Sequence, residues 1–455
     1  MKILYDLDPG QVAVVSGNNI WTYGDLNTEI NKRCTIVDCL CPESDKVLFL
    51  KRNDISFICD YVACAEKDIP VILADYELKN EVAHILKECS ATMICADICD
   101  ESKWDQVLSD NQIAHSFRQI NGSLWINVSV PEVSNELLDI AYLIQYTSGS
   151  TGTVRGAVHT KNTFSYMKKD FASFIGMQQG EKFIASVSLS HGYGFTCILI
   201  TCLSNGGVLY LIDGKSIPLI LKTIETEKIQ YLFSIPPMFQ ALCRYMKIRN
   251  FDLTSLKFCC SSAMKLSQDI ADLFRETTGI FLNQEYGSAE TSVVSVTRYT
   301  EETYNTQNLG VCIDSVKLEI ATDGEILVYS DSMAVGYADG TWFEKPFAMG
   351  DIGSILKNGD LCVHGRKKRL IDVGGKKFFL DEIESILSKA PGHADSMVKS
   401  EDGILVAYVV LSQEAKIDSV IQYCVDNLAA FKQPKKYIVV DSLKRSSMGK
   451  VKFNQ

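Results

Sequence analysis

The sequence predicts an α/β fold in which a large N-terminal domain of layered sheets and helices precedes a small C-terminal α+β domain. Short apolar runs at 47–50 and 231–235 alternate with helical patterns, which is typical of buried strands joined by crossover helices. A junction rich in Gly, Asp, Lys and Arg spans 350–375, and strand candidates follow it at 404–410 and 437–440. With 455 residues, the chain is long enough for one large and one small domain.

Composition excludes several classes of protein. The chain is 46% hydrophobic and 22% charged, which argues against disorder and coiled coil. The net charge of −11 argues against a nucleic-acid-binding surface, and no apolar run reaches the roughly 18 residues of a membrane span. Acidic residues follow closely on the N-terminal methionine, and sixteen cysteines are scattered without a Cys-x-x-Cys pair. We therefore expect free thiols in a cytoplasmic protein that has no secretory signal.

Two helices can be placed from their apolar faces and their end signals. Residues 266–277 carry Leu, Ile, Leu and Phe at i, i+4, i+7 and i+8, and Gly279 follows as a stop. Residues 381–389 carry a second apolar face, with Asp381 and Glu384 at the spacing of a capping box.

The strongest local pattern follows a strand candidate at 142–146. Residues 146–156 read Tyr-Thr-Ser-Gly-Ser-Thr-Gly-Thr-Val-Arg-Gly. Glycines let a backbone approach a ligand and expose its N–H groups, and hydroxyls donate to phosphate oxygens. The residues predicted to cradle a polyphosphate are Thr147, Ser148, Gly149, Ser150, Thr151, Gly152 and Arg155. The loop lacks the Gly-Lys-Ser/Thr of a Walker loop, and a flexible surface linker is the alternative interpretation.

This loop resembles the phosphate loop of the adenylate-forming ligases, a family that includes acyl-CoA synthetases and adenylation domains. The family pattern Ser-Gly-Ser/Thr-Thr-Gly-x-Pro-Lys-Gly matches Ser148 to Gly156, with Val154 in the place of Pro and Arg155 in the place of Lys. That exchange keeps the charge but changes the donor geometry. The resemblance continues to the end of the chain, and it implies the adenylate-forming enzyme fold with a mobile C-terminal lid.

A second segment resembles the nucleotide and metal site of the same family. Residues 284–290 read Gln-Glu-Tyr-Gly-Ser-Ala-Glu and match its Tyr-Gly-x-Thr-Glu pattern, with Ala289 in the place of Thr. The resemblance implies that Glu290 and Thr151 hold Mg²⁺ on the phosphates of ATP. It also implies that the nucleotide is bound by Tyr286, which stacks on adenine, and by Gly287 and Ser288. A solvated carboxylate is the alternative for Glu290.

Two shorter segments complete the implied nucleotide site. Ser262 and Ala263 follow a strand candidate and match the small-residue turn where the family's backbone binds adenine, although a plain tight turn gives the same pattern. Met-Gly-Asp at 349–351 resembles the family's Gly-Asp dipeptide, so Asp351 is implied to accept hydrogen bonds from the ribose hydroxyls. Gly359-Asp360 nearby is typical of a hairpin turn.

The segment Gly-Arg-Lys-Lys-Arg-Leu-Ile-Asp-Val-Gly-Gly at 365–375 matches the family's hinge pattern. By resemblance, Arg366 contacts the ribose and the α-phosphate, and Lys368 is the pivot between the domains. Gly374 and Gly375 would line the path of a pantetheine thiol. We therefore divide the chain into an ATP- and acid-binding domain at 1–366 and a lid domain at 367–455.

Two further residues are implied to act in catalysis. Ser-Met-Gly-Lys near the C-terminus resembles the family's Gly-Lys motif, so Lys450 is the implied catalytic lysine, with Phe453 where the family has a basic residue. His191 lies in an aromatic segment like that of acyl and aryl members, and it either gates the acid pocket or is a buried structural histidine. No Asp lies in 184–200, where amino-acid-activating members carry one. Pocket walls are expected near Ser234, Pro236, Cys259 and Gln284.

The resemblance implies an AMP-forming acid–thiol ligase. ATP, with Mg²⁺, would activate a fatty or aryl carboxylic acid to an acyl-adenylate, and coenzyme A or the phosphopantetheine of an acyl carrier protein would then take the acyl group. Two alternatives remain open: a stand-alone enzyme that activates amino acids, and a weakened relative that binds the nucleotide without forming thioesters. No nucleic-acid partner is expected.

Overall fold

The structure is a computed structural model that describes residue 4 and residues 8–41, 46–146, 154–373, 375–401, 403–412 and 415–443. Within these ranges the chain packs into two compact units. The first comprises the residues up to 317 together with 328–347, and the second comprises 318–327 together with the residues from 348 onward. No described helix is both long enough and apolar enough to cross a membrane.

The N-terminal third alternates short buried strands with helices. Its elements are β1 (Val12–Ser16), β2 (Asn19–Thr22), α1 (Tyr23–Leu40), β3 (Val47–Leu50), α2 (Ile55–Glu66), β4 (Val71–Leu73), α3 (Val82–Cys89), β5 (Met93–Asp97), α4 (Glu101–Asp110), β6 (His115–Ile120), β7 (Ser123–Val128), α5 (Glu136–Asp139) and β8 (Leu143–Tyr146). The strand predicted at 47–50 is confirmed as β3, which is buried throughout. α1 begins where Thr22 and Asp25 form a capping box.

The middle of the chain continues this pattern. Its elements are β9 (Gly156–His159), α6 (Lys161–Met167), α7 (Asp170–Ile175), β10 (Lys182–Ala185), a π-helix (Tyr193–Ile200), α8 (Thr201–Ser204), β11 (Val208–Leu211), α9 (Ile217–Glu227), β12 (Tyr231–Ser234), α10 (Pro236–Met246), β13 (Phe258–Ser261), α11 (Gln268–Thr278), β14 (Leu282–Ser288) and β15 (Ser292–Val296). The helix predicted at 266–277 is α11, which begins two residues later because Ser267 caps it. Gly279 ends it in the left-handed conformation, as predicted.

The remaining elements are mainly strands. They are β16 (Val311–Cys312), β17 (Val316–Ile320), β18 (Glu325–Ser330), β19 (Gly336–Tyr337), β20 (Phe347–Ile355), β21 (Leu361–Arg366), β22 (Leu370–Val373), β23 (Lys376–Phe379), α12 (Leu380–Leu387), β24 (His393–Glu401), β25 (Ile404–Leu411), α13 (Ile417–Asn427) and β26 (Lys436–Val439). The predicted capping box of α12 is wrong, because Glu382 accepts the hydrogen bond from the Phe379 amide. Glu384 instead accepts from the Val398 amide.

Two large sheets build most of the first unit. One has nine strands in the order β16-β15-β14-β13-β12-β10-β11-β1-β2, and the other has eight in the order β19-β9-β8-β4-β3-β5-β7-β6. The pairs β10/β12, β12/β13 and β13/β14 are parallel. Their carboxyl ends therefore meet at one edge, the position where ligands bind in open α/β sheets. This layered architecture confirms the predicted α/β fold.

The second unit contains a small α+β core. β24, β25 and β26 form a three-stranded sheet, and β22 pairs with β23. Apolar residues of α12 and α13, including Ile383 and Val420, pack with those of the sheet, including Val398 and Ala407. β17, β18, β20 and β21 form a further four-stranded sheet. All sixteen cysteines of the chain are free and most are buried, as the sequence predicted.

Candidate active site

Polar residues gather at the carboxyl ends of three neighbouring parallel strands. Ser234 ends β12, Ser262 follows β13, and Glu285 lies in β14. Between them Ala263 has a φ of 66°, in the left-handed region that residues other than glycine rarely adopt. Strained backbone of this kind concentrates at functional sites. The turn predicted to bind adenine therefore has a special backbone conformation, which the sequence did not reveal.

A side-chain contact joins two of the predicted nucleotide-binding segments. The Ser262 hydroxyl donates a hydrogen bond to the Glu285 carboxyl, next in sequence to Tyr286. Burial raises the pKa of Glu285 to about 7, while the hydrogen bond from Ser262 opposes the rise. Sequence reasoning missed Glu285, because its significance comes from burial and from a partner on another strand.

The predicted Tyr286-Gly287-Ser288 segment lies in β14 at an irregularity in its pairing with β15, between Tyr286 and Gly287. A Cβ atom on Gly287 would lie 2.1 Å from the carbonyl oxygen of Ser292, so only glycine fits there. Ser288 accepts a hydrogen bond from the Thr291 amide at 3.2 Å. These contacts hold the loop that follows β14 and carries Glu290.

Arg155 and Glu290 are linked through Tyr337. The Arg155 guanidinium lies 3.4 Å from the centroid of the Tyr337 ring and pairs with Asp339 at 2.9 Å. On the other side, the Tyr337 hydroxyl donates to the Glu290 carboxylate at 2.9 Å. A cation and a carboxylate predicted to act on the same phosphates therefore share one aromatic side chain. Sequence reasoning missed Tyr337 and Asp339, which lie far from Arg155 along the chain.

His159 is another residue that sequence reasoning missed. It ends β9, is fully buried, and its Nε2 lies 2.9 Å from the carbonyl oxygen of Ala289. Burial lowers the pKa of His159 to about 4, so the ring is neutral at pH 7 and can donate this hydrogen bond. The contact ties the strand after the phosphate loop to the residue before Glu290. A histidine within an apolar strand was the available signal.

Residues from the N-terminal part of the first unit position His191 and the segment before it. Its Nε2 lies 3.2 Å from the Asp75 carboxylate, and both side chains are nearly buried. Asn53 holds the segment before it, because its amide donates to the Val187 carbonyl at 2.7 Å and accepts from the Leu189 amide at 2.8 Å. The histidine therefore has a fixed position next to the π-helix. Gating of an acid pocket by His191 stays a prediction.

The predicted pocket walls divide between the two faces of the sheet. Cys259 packs in the apolar core with residues of α10 and α11, and the pocket wall expected near it stays a prediction. The backbone carbonyl of Cys260, the next residue, accepts a hydrogen bond from the Tyr193 hydroxyl at 2.7 Å. The Cys260 thiol interacts electrostatically with Tyr193 and Cys197 of the π-helix. Gln284 donates to the Tyr299 hydroxyl at 2.6 Å. Cys259 and Cys260 face opposite sides of the sheet because successive side chains of a strand point to opposite faces.

The second unit brings together the two residues predicted to contact ribose. Asp351 and Arg366 are paired across the antiparallel strands β20 and β21. Arg366 Nε lies 3.2 Å from Asp351 Oδ1, and its Nη1 donates to the Met349 carbonyl at 3.2 Å. The Asp351 side chain is 5% exposed, and that of Arg366 is 58% exposed. A buried carboxylate thus orients a cation that reaches solvent.

The predicted hinge has a regular local structure. Lys368 is exposed in a single 3₁₀ turn, Lys367–Arg369, between β21 and β22. Gly375 has a φ of 81°, and its amide donates to Asp372 at 2.7 Å in the turn before β23. The other predicted site residues lie outside the described residues: Thr147, Ser148, Gly149, Ser150, Thr151, Gly152, Gly374 and Lys450.

Comparison with known proteins decides the family. The AMP-binding enzyme family matches residues 6–338, and the AMP-binding enzyme C-terminal domain matches residues 382–450. The chain belongs to the AMP-binding enzyme family. This finding confirms the predicted family, and Arg155, Ser262, Tyr286 and Glu290 all lie within the first match.

Several relatives of this AMP-binding enzyme are CoA ligases. It is 25% identical to a putative acyl–CoA ligase of Bacillus subtilis, over 99% of this chain and 96% of the relative. It is 22% identical to 2-succinylbenzoate–CoA ligase of Listeria monocytogenes, again over 99% and 96%. It spans only 64% of the length of the 3-[(3aS,4S,7aS)-7a-methyl-1,5-dioxo-octahydro-1H-inden-4-yl]propanoyl:CoA ligase of Rhodococcus jostii, at 25% identity over 68% of this chain. These names agree with the predicted class of enzyme.

A solved structure supports the fold. The o-succinylbenzoate CoA synthetase of Bacillus subtilis, in complex with its acyl-adenylate intermediate, superposes with a TM-score of 0.83. The comparison covers 98% of this chain and 95% of that one, at 21% identity. At this level of identity the likeness concerns the fold, and it confirms the predicted adenylate-forming architecture.

Proposed function

We propose that this AMP-binding enzyme activates a carboxylic acid with ATP and transfers the acyl group to a thiol. In the first step a carboxylate oxygen attacks the α-phosphorus, the bond to the pyrophosphate breaks, and an acyl-adenylate forms. In the second step the sulfur of coenzyme A, or of a carrier-protein phosphopantetheine, attacks the acyl carbon and AMP leaves. The observation that carries the proposal is the contact series Arg155–Tyr337–Glu290, which joins two residues of the predicted nucleotide site.

The residues of the first unit would each bind a different part of MgATP. Arg155 would neutralise phosphate charge, and the turn at Ser262 and Ala263 with Tyr286 would hold adenine. Glu290 fits Mg²⁺, because one hard carboxylate is the protein ligand that a phosphate-bound Mg²⁺ usually takes, and the Tyr337 hydroxyl engages only its Oε1. When bound, the ion would neutralise charge on the phosphates. His159 would keep the Glu290 loop in position.

The residues of the second unit would act on the ribose and on the thiol. Asp351 would accept hydrogen bonds from the ribose hydroxyls, and Arg366, oriented by Asp351, would contact the α-phosphate. Gly374 and Gly375 would line the thiol path, and Lys450 would act in adenylation. The division into 1–366 and 367–455, with Lys368 as pivot, belongs to this proposal. We also propose a cytoplasmic location, which the sixteen free cysteines support.

A hydroxamate-trapping screen tests the proposed function. Purified protein is incubated with ATP, Mg²⁺, hydroxylamine and a panel of fatty, aryl and amino acids, and both hydroxamate and pyrophosphate are measured. At least one acid is expected to give both products. ATP binding without pyrophosphate release for any acid would favour the weakened nucleotide-binding relative. Release of ADP would contradict the proposal.

Replacing Tyr337 by Phe is expected to raise the KM for MgATP about tenfold, or about 1.4 kcal/mol. The change removes the hydroxyl that orients Glu290 and keeps the ring beneath Arg155. Pyrophosphate exchange at several Mg²⁺ concentrations measures it, with Tyr423→Phe in α13 as the control. An unchanged KM at every Mg²⁺ concentration would show that the Tyr337–Glu290 contact has no part in ATP binding.

Replacing Lys368 by Pro is expected to leave pyrophosphate exchange within about twofold and to abolish thioester formation. Proline fixes its own φ and restricts the residue before it, so the 3₁₀ turn at 367–369 loses the freedom that a domain rotation needs. Both half-reactions are measured on one preparation, with Lys368→Ala as the control. Equal loss of the two activities in the proline variant would count against a hinge at this residue.

A further inference from the structure

The Glu285 carboxyl is a largely desolvated acidic group that no basic side chain among the described residues compensates. Among the described residues, the Ser262 hydroxyl is the hydrogen-bond donor to its Oε2. No described Lys, Arg or His contributes to its pKa shift, whose causes are desolvation and the hydrogen bond from Ser262. A carboxyl that is removed from water and lacks a counter-ion is costly, and proteins tend to retain such groups where a ligand uses them.

The second carboxyl oxygen of Glu285 has room beside it because the neighbouring residue is glycine. A Cβ on Gly287 would lie only 2.7 Å from Glu285 Oε1, so a side chain there would displace the carboxyl. Glu285 itself keeps an intermediate exposure to solvent, although burial raises its pKa. The carboxyl thus lies within the protein at a point that a small ligand can still reach.

The direction of the Glu285 side chain separates it from the Tyr286 ring, which is predicted to stack on adenine. Glu285 and Tyr286 are consecutive in β14, so their side chains point to opposite faces of the sheet. The charge of Glu285 acts on Tyr193 and Cys197 of the π-helix and on Cys260, which all belong to the other face. That face carries the aromatic segment around His191, from which the sequence predicted an acid pocket.

We propose that Glu285, held by Ser262, is a specificity-determining residue that accepts a hydrogen bond from a hydroxyl or amino group on the substrate acid. The inference rests on the proposed function and adds the substrate class: an acid with a hydrogen-bond donor away from its reacting carboxylate, in preference to a plain hydrocarbon acid. Buried donors and acceptors left unpaired by the wrong substrate give strong discrimination, whereas hydrophobic contacts give little. The Tyr193 hydroxyl cannot serve instead as a free donor, since it is bonded to the Cys260 carbonyl.

Matched pairs of acids test the inference. Benzoate and hexanoate are compared with their hydroxy and amino derivatives at several ring or chain positions, using kcat/KM for hydroxamate formation. For the best pair, the wild-type protein is expected to prefer the donor-bearing acid by about 10²-fold or more. Glu285→Leu is expected to reduce this preference below about tenfold, and Ser262→Ala to reduce it partly. Aminohexanoates carry a cationic donor, whereas the hydroxy acids and the aminobenzoates carry a neutral one, so their comparison distinguishes the two kinds of donor.

Two controls keep the outcomes separate. Glu302→Gln removes an exposed carboxyl and should keep the preference. The thermal midpoint of Glu285→Leu is measured first, and Glu285→Met, which has a similar length and no carboxyl acceptor, replaces it if it does not fold. A wild-type protein that prefers the hydrocarbon acids, or a preference unchanged in the Glu285 variant, would overturn this inference and leave the ligase proposal intact. No pyrophosphate release with any acid would overturn both.

Discussion

A Lys450→Ala variant is expected to adenylate its acid about 10²–10³ times more slowly than the wild-type protein. The lysine belongs to the Gly-Lys motif near the C-terminus, outside the described residues. In the proposed first step, negative charge builds up between the attacking carboxylate and the α-phosphate. An ammonium group positioned there stabilises the transition state more than the bound substrates, so its loss should lower kcat. Pyrophosphate exchange measures this step directly.

The second half-reaction provides the internal control for Lys450. When a synthetic acyl-adenylate and the thiol are supplied, Lys450→Ala should still form the thioester at close to the wild-type rate. Lys435→Ala removes an exposed lysine of the second unit and should change neither step. Equal loss of adenylation and thioester formation would indicate damage to the fold, and undiminished exchange would remove Lys450 from the mechanism.

The elements that could be predicted are those with a strong local signal. The apolar runs at 47–50 and 231–235 form β3 and β12, because a short run of apolar residues is typical of a strand that helices cover on both faces. Gly279 could be predicted to end α11 for a similarly local reason. The start of α12 could not, since Asp381 with Glu384 and Phe379 with Glu382 compete as caps, and only packing decides between them.

In the candidate site, too, some residues have a local sequence signal and others become significant only through packing. Asp351 and Arg366 could be predicted from short sequence patterns, but their contact depends on the register of β20 and β21. Glu285, His159 and Tyr337 carry no pattern of their own. Their significance comes from burial and from partners on other strands, which appear only when the chain is folded.

A buried group of charges in the N-terminal part of the first unit gives the largest expected change in stability. The Asp60 side chain, on α2, is 1% exposed and pairs with Lys51, which is 0% exposed, at 2.8 Å. It also pairs with the nearly buried Arg33 of α1. Ser123 of β7 accepts a hydrogen bond from Lys51 at 2.7 Å. One carboxylate therefore balances two cations that join helices α1 and α2 to the sheet.

Asp60→Ala is expected to destabilise the first unit by about 3–5 kcal/mol, since it leaves two buried cations without their shared counter-ion. Urea unfolding followed by tryptophan fluorescence measures this, because all four tryptophans, at 21, 104, 125 and 342, lie in the first unit. The matched control is Asp38→Ala, which breaks a pair with Lys67 whose side chains are 51% and 36% exposed. An exposed pair of this kind contributes about 0–1 kcal/mol.

A double variant separates the loss of a favourable interaction from the cost of an unpaired charge. Asp60→Leu combined with Lys51→Met removes one cation together with the carboxylate and fills the space with apolar atoms, and Arg33 keeps its contact with Glu29 at 3.0 Å. If unpaired charge dominates, the double variant should be more stable than Asp60→Ala, although it differs more from the wild-type sequence. If the double variant is the less stable of the two, the specific hydrogen bonds around Asp60 matter more than the balance of charge. A loss in Asp60→Ala no larger than in Asp38→Ala would contradict both explanations, because burial would then have no effect on the strength of the pair.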